Sequence, residues 1–256
     1  MSVVSHAKDQ DNDPIIASVL LKKPVCCNST QTVREAAKLM RQHAISCILI
    51  TTAHNGKVCG IWTAADARKL DFSRPEAADT PLTQVMSSPV RSVTDSSRLS
   101  SAASTMLQHG IRRLLVVNKY GDAVGLLTQS DIVRQQKIEF YLQFRDVGSC
   151  LNASPLQLSA QLPLGDAVKQ MQQQDVDAAV VIFADNSQGI VTEHDLIHYL
   201  AQQKNCHTVG ELASRSVLTV DNTTTLVQAV KLLTEHQLRH IAVKQGQTLQ
   251  GILSFT

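Results

Sequence analysis

Residues 125–131 have the sequence GLLTQSD, and related stretches occur at residues 60–66 (GIWTAAD), 189–195 (GIVTEHD) and 251–256 (GILSFT). Each stretch follows a helix-like pattern and a hydrophobic run, so the chain contains four copies of one unit of roughly sixty residues. A unit of this size must bury its apolar face against a sister copy. We therefore expect the four repeats to work in pairs.

Each repeat has the same order of patterns. Apolar residues spaced i, i+3, i+4 and i+7 predict an amphipathic helix. These residues are Val33, Ala36, Ala37 and Met40; Leu99, Ala102, Ala103 and Met106; Leu164, Ala167, Val168 and Met171; and Leu226, Ala229, Val230 and Leu233. A run that is apolar on both faces, such as 114–117, then predicts a buried strand. A turn, a second strand opening on glycine and a Thr-x-x-Asp helix start follow. With a short strand before the first helix, the unit is β-α-β-β-α, and the fold class is α/β (α+β).

The repeats divide the chain into two predicted domains. Residues 1–13 are polar and predict a disordered leader. The first pair spans 14–139, with repeats at about 14–75 and 80–139. The second pair spans 140–256, with repeats at about 146–203 and 207–256, the last one truncated before its aspartate. The segment 132–146 contains Phe140, Tyr141 and Phe144 and predicts a connecting helix packed between the pairs, with a ligand-binding cluster as the alternative.

The composition excludes several classes of protein. A net charge of +2 without a basic run argues against a nucleic acid partner, as do aromatic residues at 4%. Six cysteines without C-x-x-C spacing predict buried, reduced thiols and a reducing cytoplasm. The N-terminus does not resemble a signal peptide, and no apolar stretch is long enough to span a membrane. We therefore expect a soluble cytoplasmic chain.

The Thr-x-x-Asp helix start permits two interpretations. It is a capping box, in which Thr caps the helix and the carboxylate reaches back to a free backbone N–H. It is also a candidate binding turn, because a carboxylate accepts two hydrogen bonds and a helix start offers N–H groups to an anion. Both roles can coexist if capping mainly uses the Thr.

The four repeats resemble the cystathionine-β-synthase (CBS) domain family, arranged as two CBS pairs. The resemblance rests on the apolar helix stripe, the second strand and Gly-x-x-Thr/Ser in all four copies. It implies clefts for adenosine-containing ligands: AMP, ADP, ATP or S-adenosylmethionine. It also implies that the motif aspartate holds the ribose. The implied ligand residues are Asp66, Asp131 and Asp195, assisted by Thr63, Thr128, Ser130 and Thr192.

The repeats differ at the entrance to the buried strand, where the resemblance implies phosphate-contacting basic groups. The entrance residues are Ser46-Cys47, Arg112-Arg113, Asp177-Ala178 and Arg239-His240. Neighbouring strand residues point to opposite faces, so at most one residue of each pair faces a given cleft directly. Among the positions that the resemblance implies we favour Arg113 and His240, with a solvated strand end as the alternative. Asp177 would repel phosphate. The third site is thus either empty or suited to a ligand without phosphate, and the first suits S-adenosylmethionine or nothing.

The remaining histidines do not indicate catalysis or a metal site. His43, His109 and His236 recur at the predicted helix C-terminus, where a cation complements the helix dipole. We expect His194 to be an isolated, solvent-facing residue. The sequence has no Gly-rich phosphate loop, G-x-S-x-G or H-E-x-x-H motif. We therefore predict no catalytic residues, no metal and no required cofactor.

The sequence predicts a regulatory module that senses an adenine nucleotide and controls an output domain beyond residue 256. The resemblance extends to bacterial four-CBS proteins that continue into GGDEF/EAL domains, which implies signal transduction through cyclic-di-GMP turnover. It also implies a homodimer formed through the CBS pairs. The alternative is a structural dimerisation scaffold with degenerate nucleotide sites. The sequence contains no set of catalytic residues that would indicate a stand-alone enzyme.

Overall fold

The computed structural model describes residues 13–19, 23–135, 142, 144–151, 154–202, 206–236, 238–246 and 248–254. Within these residues each repeat forms one three-stranded sheet, and helices pack beside the sheets in a mixed α+β arrangement. The predicted fold class is confirmed. The predicted leader falls almost entirely outside the described residues, as do Phe140 and Tyr141 of the predicted connecting helix.

The strands follow one plan in every repeat. The first strands are β1 (Cys26–Asn28), β4 (Ser92–Thr94), β7 (Gln157–Ser159) and β10 (Thr219–Asp221). The central strands are β2 (Cys47–Thr51), β5 (Arg113–Val117), β8 (Ala178–Ile182) and β11 (His240–Gln245). The third strands are β3 (Val58–Thr63), β6 (Ala123–Thr128), β9 (Gln188–Thr192) and β12 (Thr248–Ser254). The first strand is parallel to the central one, and the third strand is antiparallel to it.

Three sets of helices complete the repeats. The amphipathic helices are α2 (Val33–Gln42), α5 (Leu99–His109), α7 (Leu164–Gln173) and α10 (Leu226–Glu235). The helices that follow the third strands are α3 (Ala64–Ala67), α6 (Gln129–Gln135) and α8 (Glu193–Ala201). A short turn, which we call the leading turn, precedes the first strand of each repeat. The leading turns are α1 (Ile16–Val19), α4 (Leu82–Val85), a 3-10 turn at Gly148–Cys150 and α9 (Val209–Leu212). A further 3-10 turn covers Pro75–Asp79.

Two of the four amphipathic helices have a side-chain cap at the N-terminus, whereas α5 and α7 begin after Arg98 and Pro163 without one. Thr32 and Thr225 form capping boxes with the residues three positions later. His43 and His236 cap the C-termini of α2 and α10, and His109 is the last residue of α5. The predicted position of these histidines at helix C-termini is confirmed.

Each leading turn packs on the neighbouring repeat instead of its own. The backbone N–H of Leu82, before β4, donates to the carbonyl of Gln31 in repeat 1. Val209, before β10, likewise donates to Leu162 in repeat 3. Four apolar side chains of the leading turns are almost fully buried in these cores: Ile16 in repeat 2, Leu82 in repeat 1, Val147 in repeat 4 and Val209 in repeat 3. The exchange means that each core is completed by a neighbour's residues.

The recurring glycine of the third strand makes room for this exchange. A Cβ atom on Gly189 would lie 2.7 Å from the backbone carbonyl oxygen of Ser214, which follows α9. A Cβ on Gly60 would lie even closer to the Met86 side chain, which follows α4. Glycine is therefore required by close packing. The four third strands begin one to three residues before their glycines, so the expectation that they open on glycine was slightly wrong.

Two compact units account for the chain. One contains residues 1–24, 89–138 and 256, and the other contains residues 25–88 and 139–255. In the larger unit, the sheets of repeats 3 and 4 meet through Ala178, Ile190 and Ala242. Repeats 1 and 3 share another core, in which Val33 of α2 clusters with Leu196 of α8. The larger unit thus joins three repeats.

Two local expectations need correction. Cys26 is exposed, whereas Cys27 and Cys47 are buried and the other three cysteines are half-buried, so burial of all six was wrong. The alternation of side chains in β1 explains the contrast between the adjacent pair. Phe144 is 73% exposed, so it does not pack into a core as the predicted connecting helix required.

We predict that Leu82→Ala lowers the free energy of unfolding by about 2–5 kcal/mol, because it leaves a cavity in the core of repeat 1. The matched control is Leu107→Ala, at a leucine that is 86% exposed on α5, with an expected change of about 0.5 kcal/mol or less. Urea unfolding followed by circular dichroism measures both. Equal effects of the two variants would contradict the exchange of leading turns.

Candidate ligand site

Each candidate site begins at the hairpin of the central and third strands. The first residue of the central strand lies opposite the Thr or Ser that ends the third strand. The facing pairs are Cys47–Thr63, Arg113–Thr128, Ala178–Thr192 and His240–Ser254. Directly opposed side chains share one face of a sheet and lie about 5 Å apart. The variable entrance residue therefore adjoins the hydroxyl of the motif in every repeat.

All three Thr-x-x-Asp turns form the same capping box. In repeat 2, Asp131 Oδ2 accepts hydrogen bonds from the backbone N–H of Thr128 (2.9 Å) and from its hydroxyl (2.6 Å). The corresponding distances for Asp66 are 3.0 and 2.7 Å, and for Asp195 they are 2.8 and 2.7 Å. The expectation that capping mainly uses the Thr was wrong, because one carboxylate oxygen takes part in the capping box of each of the three turns.

The second carboxylate oxygen distinguishes the repeats. Asp66 Oδ1 lies 2.7 Å from Lys69 Nζ, and the Asp66 residue is only 4% exposed. Asp131 Oδ1 lies 3.5 Å from Arg134 in a looser, more exposed pair. Asp195 is half-buried and forms no ion pair with any residue that the structure describes. The carboxylates of repeats 2 and 3 are thus more accessible than that of repeat 1.

Helix starts in the motif offer fewer free N–H groups than expected. The first helical N–H donates to the carbonyl of the entrance residue: Ala64 to Ser46 at 2.9 Å and Gln129 to Arg112 at 3.0 Å. The third, that of the aspartate, donates to the Thr hydroxyl at about 3.3 Å in all three turns. The prediction of several free donors for an anion is wrong for these positions.

The basic entrance residues differ in environment. Arg113 begins β5 and is half-buried, whereas Arg112 precedes the strand and is exposed. Arg239 is half-buried in the bend before β11, and His240 begins that strand. Exposure therefore separates Arg112 from Arg113, whereas Arg239 and His240 are both half-buried.

Asp177 joins repeats 3 and 4. Its Oδ1 lies 3.3 Å from Nε2 of His240 and accepts a hydrogen bond of 2.9 Å from the Ser254 hydroxyl. His240 is largely covered, with a side chain 10% exposed. The carboxylate of one repeat thus contacts the entrance residue and the motif hydroxyl of its neighbour.

His194 is not isolated or solvent-facing, as the sequence suggested. Its Nε2 lies 3.2 Å from Nε2 of His198, one turn later on α8, and its Nδ1 is buried. Burial lowers the pKa of His194, and the positive charges of His198, Arg239 and His240 lower it further, while Asp195 opposes them. The i,i+4 spacing is visible in the sequence and could have revealed the pair. Among the described residues, no group of three or more His, Cys, Asp or Glu could hold a metal ion.

Comparisons with known proteins identify the family. A model of the CBS domain matches residues 16–72, 82–137, 146–202 and 209–256. The chain belongs to the CBS domain family. These ranges cover most of the sequence, which therefore encodes a regulatory module of CBS domains. No helix in the described residues has the length and hydropathy to cross a membrane.

Individual CBS relatives cover different shares of the chain. An uncharacterized protein of Methanocaldococcus jannaschii is 28% identical over 162 residues, which are 58% of this chain and 38% of that protein. A CBS domain-containing protein of Bacillus subtilis is 32% identical over 106 residues, covering 41% of this chain and 74% of the relative. The crystal structure of another M. jannaschii protein, 18% identical, has a TM-score of 0.76 over 94% of this chain and 97% of its own. At that identity the likeness shows the fold alone.

The lowered pKa of His194 predicts a pH effect on stability. The unfolded chain binds the proton more readily, so the folded state loses stability as the pH falls below about 6.5, the ordinary pKa of histidine. We expect His194→Gln to flatten this loss between about pH 6.5 and 5, measured by urea unfolding at each pH. His54→Gln, at an exposed turn, should leave the slope unchanged. A parental slope in the His194→Gln variant would refute the assignment.

Proposed function

We propose that this CBS module binds adenosine-containing nucleotides at its Thr-x-x-Asp turns and passes their occupancy to an output domain. The observation that carries the proposal is the geometry of repeat 2. Asp131 has one oxygen fixed by Thr128 and the other in a loose, partly exposed pair with Arg134, and Arg113 lies opposite Thr128.

The proposed role of Asp131 is to hold the ribose. A carboxylate accepts hydrogen bonds but donates none, which suits the two adjacent hydroxyls of a ribose. The Thr128 hydroxyl already donates to Asp131, and Ser130 adds a half-buried hydroxyl on the same turn. Ligand binding would then replace the weak contact with Arg134 by bonds to the ribose.

Arg113 is our candidate for the phosphate. A guanidinium presents several N–H donors in a plane and suits phosphate oxygens. The half-buried position of Arg113 at the strand entrance supports this role better than the exposed position of Arg112. Repeat 2 would therefore favour AMP, ADP or ATP over adenosine.

Repeats 3 and 4 would favour an adenosine ligand without phosphate. Asp195 and Thr192 supply the same ribose turn as in repeat 2. The contact of Asp177 with His240, however, places a negative charge beside the residue that would meet a phosphate. Arg239 is the remaining cation at this entrance. We assign this site to a nucleoside or to S-adenosylmethionine.

A structural scaffold is the second candidate function. Asp66 is buried under Lys69, and Cys47 stands at the entrance where repeat 2 has Arg113, so the Thr63–Asp66 turn of repeat 1 resembles a cap more than a binding site. If the Asp177–His240 contact also blocks the candidate site of repeats 3 and 4, only repeat 2 would bind a nucleotide. The module would then serve mainly to join chains.

The proposal includes assembly and output. We infer a homodimer formed through CBS pairs, and an output domain beyond residue 256 that acts in signal transduction, such as cyclic-di-GMP turnover; both rest on the family resemblance. The ligand would act by favouring one packing of the repeats over another. We also infer a cytoplasmic location, because six cysteines without C-x-x-C spacing are typical of thiols that a reducing compartment keeps reduced.

We expect Asp131→Asn to weaken AMP binding at least about tenfold, since a charge-assisted bond to the ribose is lost. The amide keeps an acceptor for the Thr128 N–H, so the turn should still fold. Asp122→Asn, in the exposed β5–β6 turn, is the matched control and should bind as the parent does. Calorimetric titration with AMP, ATP and S-adenosylmethionine measures the affinities. Failure of the parent to bind any of them, with a dimeric mass by light scattering, would favour the scaffold.

We expect Arg113→Met to weaken AMP binding about tenfold or more while leaving adenosine binding within about twofold. Methionine keeps the apolar length of the side chain and removes its charge. Arg112→Met, one residue earlier and exposed, is the control and should have little effect on either ligand. Equal losses for AMP and adenosine would show that Arg113 does not contact the phosphate.

A further inference from the structure

Arg68 of repeat 1 contacts repeat 3 through its whole guanidinium group. Its Nε lies 2.6 Å from Oε1 of Glu193, in an ion pair whose side chains are 13% and 15% exposed. One terminal nitrogen donates to the carbonyl of Val176 at 3.0 Å, and the other donates to Oδ1 of Asp175 at 3.2 Å. Arg68 directly follows α3, two residues after Asp66.

The three partners of Arg68 belong to the two sides of the repeat-3 turn. Glu193 is the first residue of α8, between Thr192 and Asp195. Asp175 and Val176 precede the strand entrance at Asp177, and Asp175 has a φ of 49°, a conformation that costs energy for a residue other than glycine. The backbone N–H of Glu193 also donates to the carbonyl of Asp177 at 3.0 Å. Arg68 therefore contacts both the helix start and the segment that precedes the strand entrance.

Burial strengthens the ion pair of Arg68 with Glu193, whereas the Asp175 side chain is 91% exposed and its pair with Arg68 is weaker. A charged pair in low dielectric interacts more strongly than an exposed one, and removing one partner leaves the other uncompensated. The motif's own hydrogen bonds fix Asp195 relative to Thr192. The ladder pairing of Ala178 with Thr192 and the backbone bond from Glu193 to Asp177 join the turn to the strand entrance. Neither of these contacts includes Asp175 or Val176, which Arg68 binds directly.

We propose that Arg68 of repeat 1 is a positioning residue for the ligand site of repeat 3. This inference rests on the proposed function of Asp195. Because Arg68 lies two residues after Asp66, it also links the Thr63–Asp66 turn of repeat 1 to the Thr192–Asp195 turn of repeat 3. The repeat-3 site is therefore completed by repeat 1 as well as by its neighbour in sequence.

Arg34 provides a matched control within the same pair of repeats. It is also a largely covered arginine of repeat 1, 19% exposed, paired with Asp79 at 2.9 Å. Its terminal nitrogen donates to the carbonyl of Gln202 in repeat 3 at 3.3 Å. Gln202 caps the C-terminus of α8, the end opposite the Thr192–Asp195 turn. Loss of Arg34 weakens the contact between the repeats without touching the proposed site.

The first test is amide hydrogen exchange of the full chain, read by mass spectrometry without any ligand. In Arg68→Met we expect peptides covering 175–195 to exchange at least about fivefold faster than in the parent, because the turn and the strand entrance are released. In Arg34→Met these peptides should exchange at the parental rate. Equal acceleration in both variants would reduce Arg68 to a general contact between repeats and overturn the proposal.

The second test is adenosine affinity, measured by calorimetry in an Asp131→Asn background that removes the repeat-2 site. We expect Arg68→Met to weaken binding at least about fivefold, Arg68→Lys to fall between it and the parent, and Arg34→Met to have no effect. Unchanged affinity in Arg68→Met would overturn the positioning role. A further outcome is that the Asp131→Asn chain binds no adenosine while the 175–195 peptides exchange faster in Arg68→Met but not in Arg34→Met. That result would overturn the proposed function at Asp195 and would support the role of Arg68 in positioning the turn.

If Arg68→Met does not fold, Glu193→Gln removes the same ion pair with little change in shape, and both tests are made on that variant.

Discussion

Exchange of the leading turns is the contact on which the rest of the structure depends. The turn before each repeat fills the core of its neighbour, so neither repeat buries its apolar surface alone. The approaching segment comes so close to the third strand of the receiving repeat that Gly60 and Gly189 leave no space for a Cβ. Each of these glycines lies three residues before the Thr of the motif. In the Gly-x-x-Thr signature the glycine therefore admits the leading turn of the neighbouring repeat, and the Thr begins the candidate binding turn.

The aspartate of the motif serves stability and recognition with different oxygens. One oxygen closes the capping box in every turn, which fixes the carboxylate before any ligand arrives. The partner of the other oxygen differs between repeats. Lys69 contacts it in repeat 1, and Arg134 contacts it loosely in repeat 2. Capping and ligand binding are thus complementary uses of one side chain, and a preformed acceptor lowers the cost of ordering on binding.

Local signals in the sequence were enough to predict the repeats, the helix stripes and the Thr-x-x-Asp turns, because these depend on residues within one helical turn or one strand. The same signals could not predict the partner of Glu193, since Arg68 lies 125 positions earlier and meets it only after repeats 1 and 3 pack. The lowered pKa of His194 has in part a similar origin, because the charges of Arg239 and His240 in the next repeat contribute to it after the larger effect of burial. The exchange of leading turns was equally hidden, although the turns themselves were visible.

The same main-chain hydrogen bond recurs at the site of several repeats, which explains how repeats with one fold can bind different ligands. The strand entrance is tied to the helix start by a main-chain hydrogen bond, from Ala64 to Ser46 in repeat 1 and from Gln129 to Arg112 in repeat 2. A main-chain bond does not depend on which side chain the entrance carries. Cysteine, arginine or alanine can therefore occupy the position that faces the motif hydroxyl in repeats 1 to 3 without moving the turn. Charge at that position can change while the fold stays fixed, so the four repeats are free to diverge in specificity within one chain.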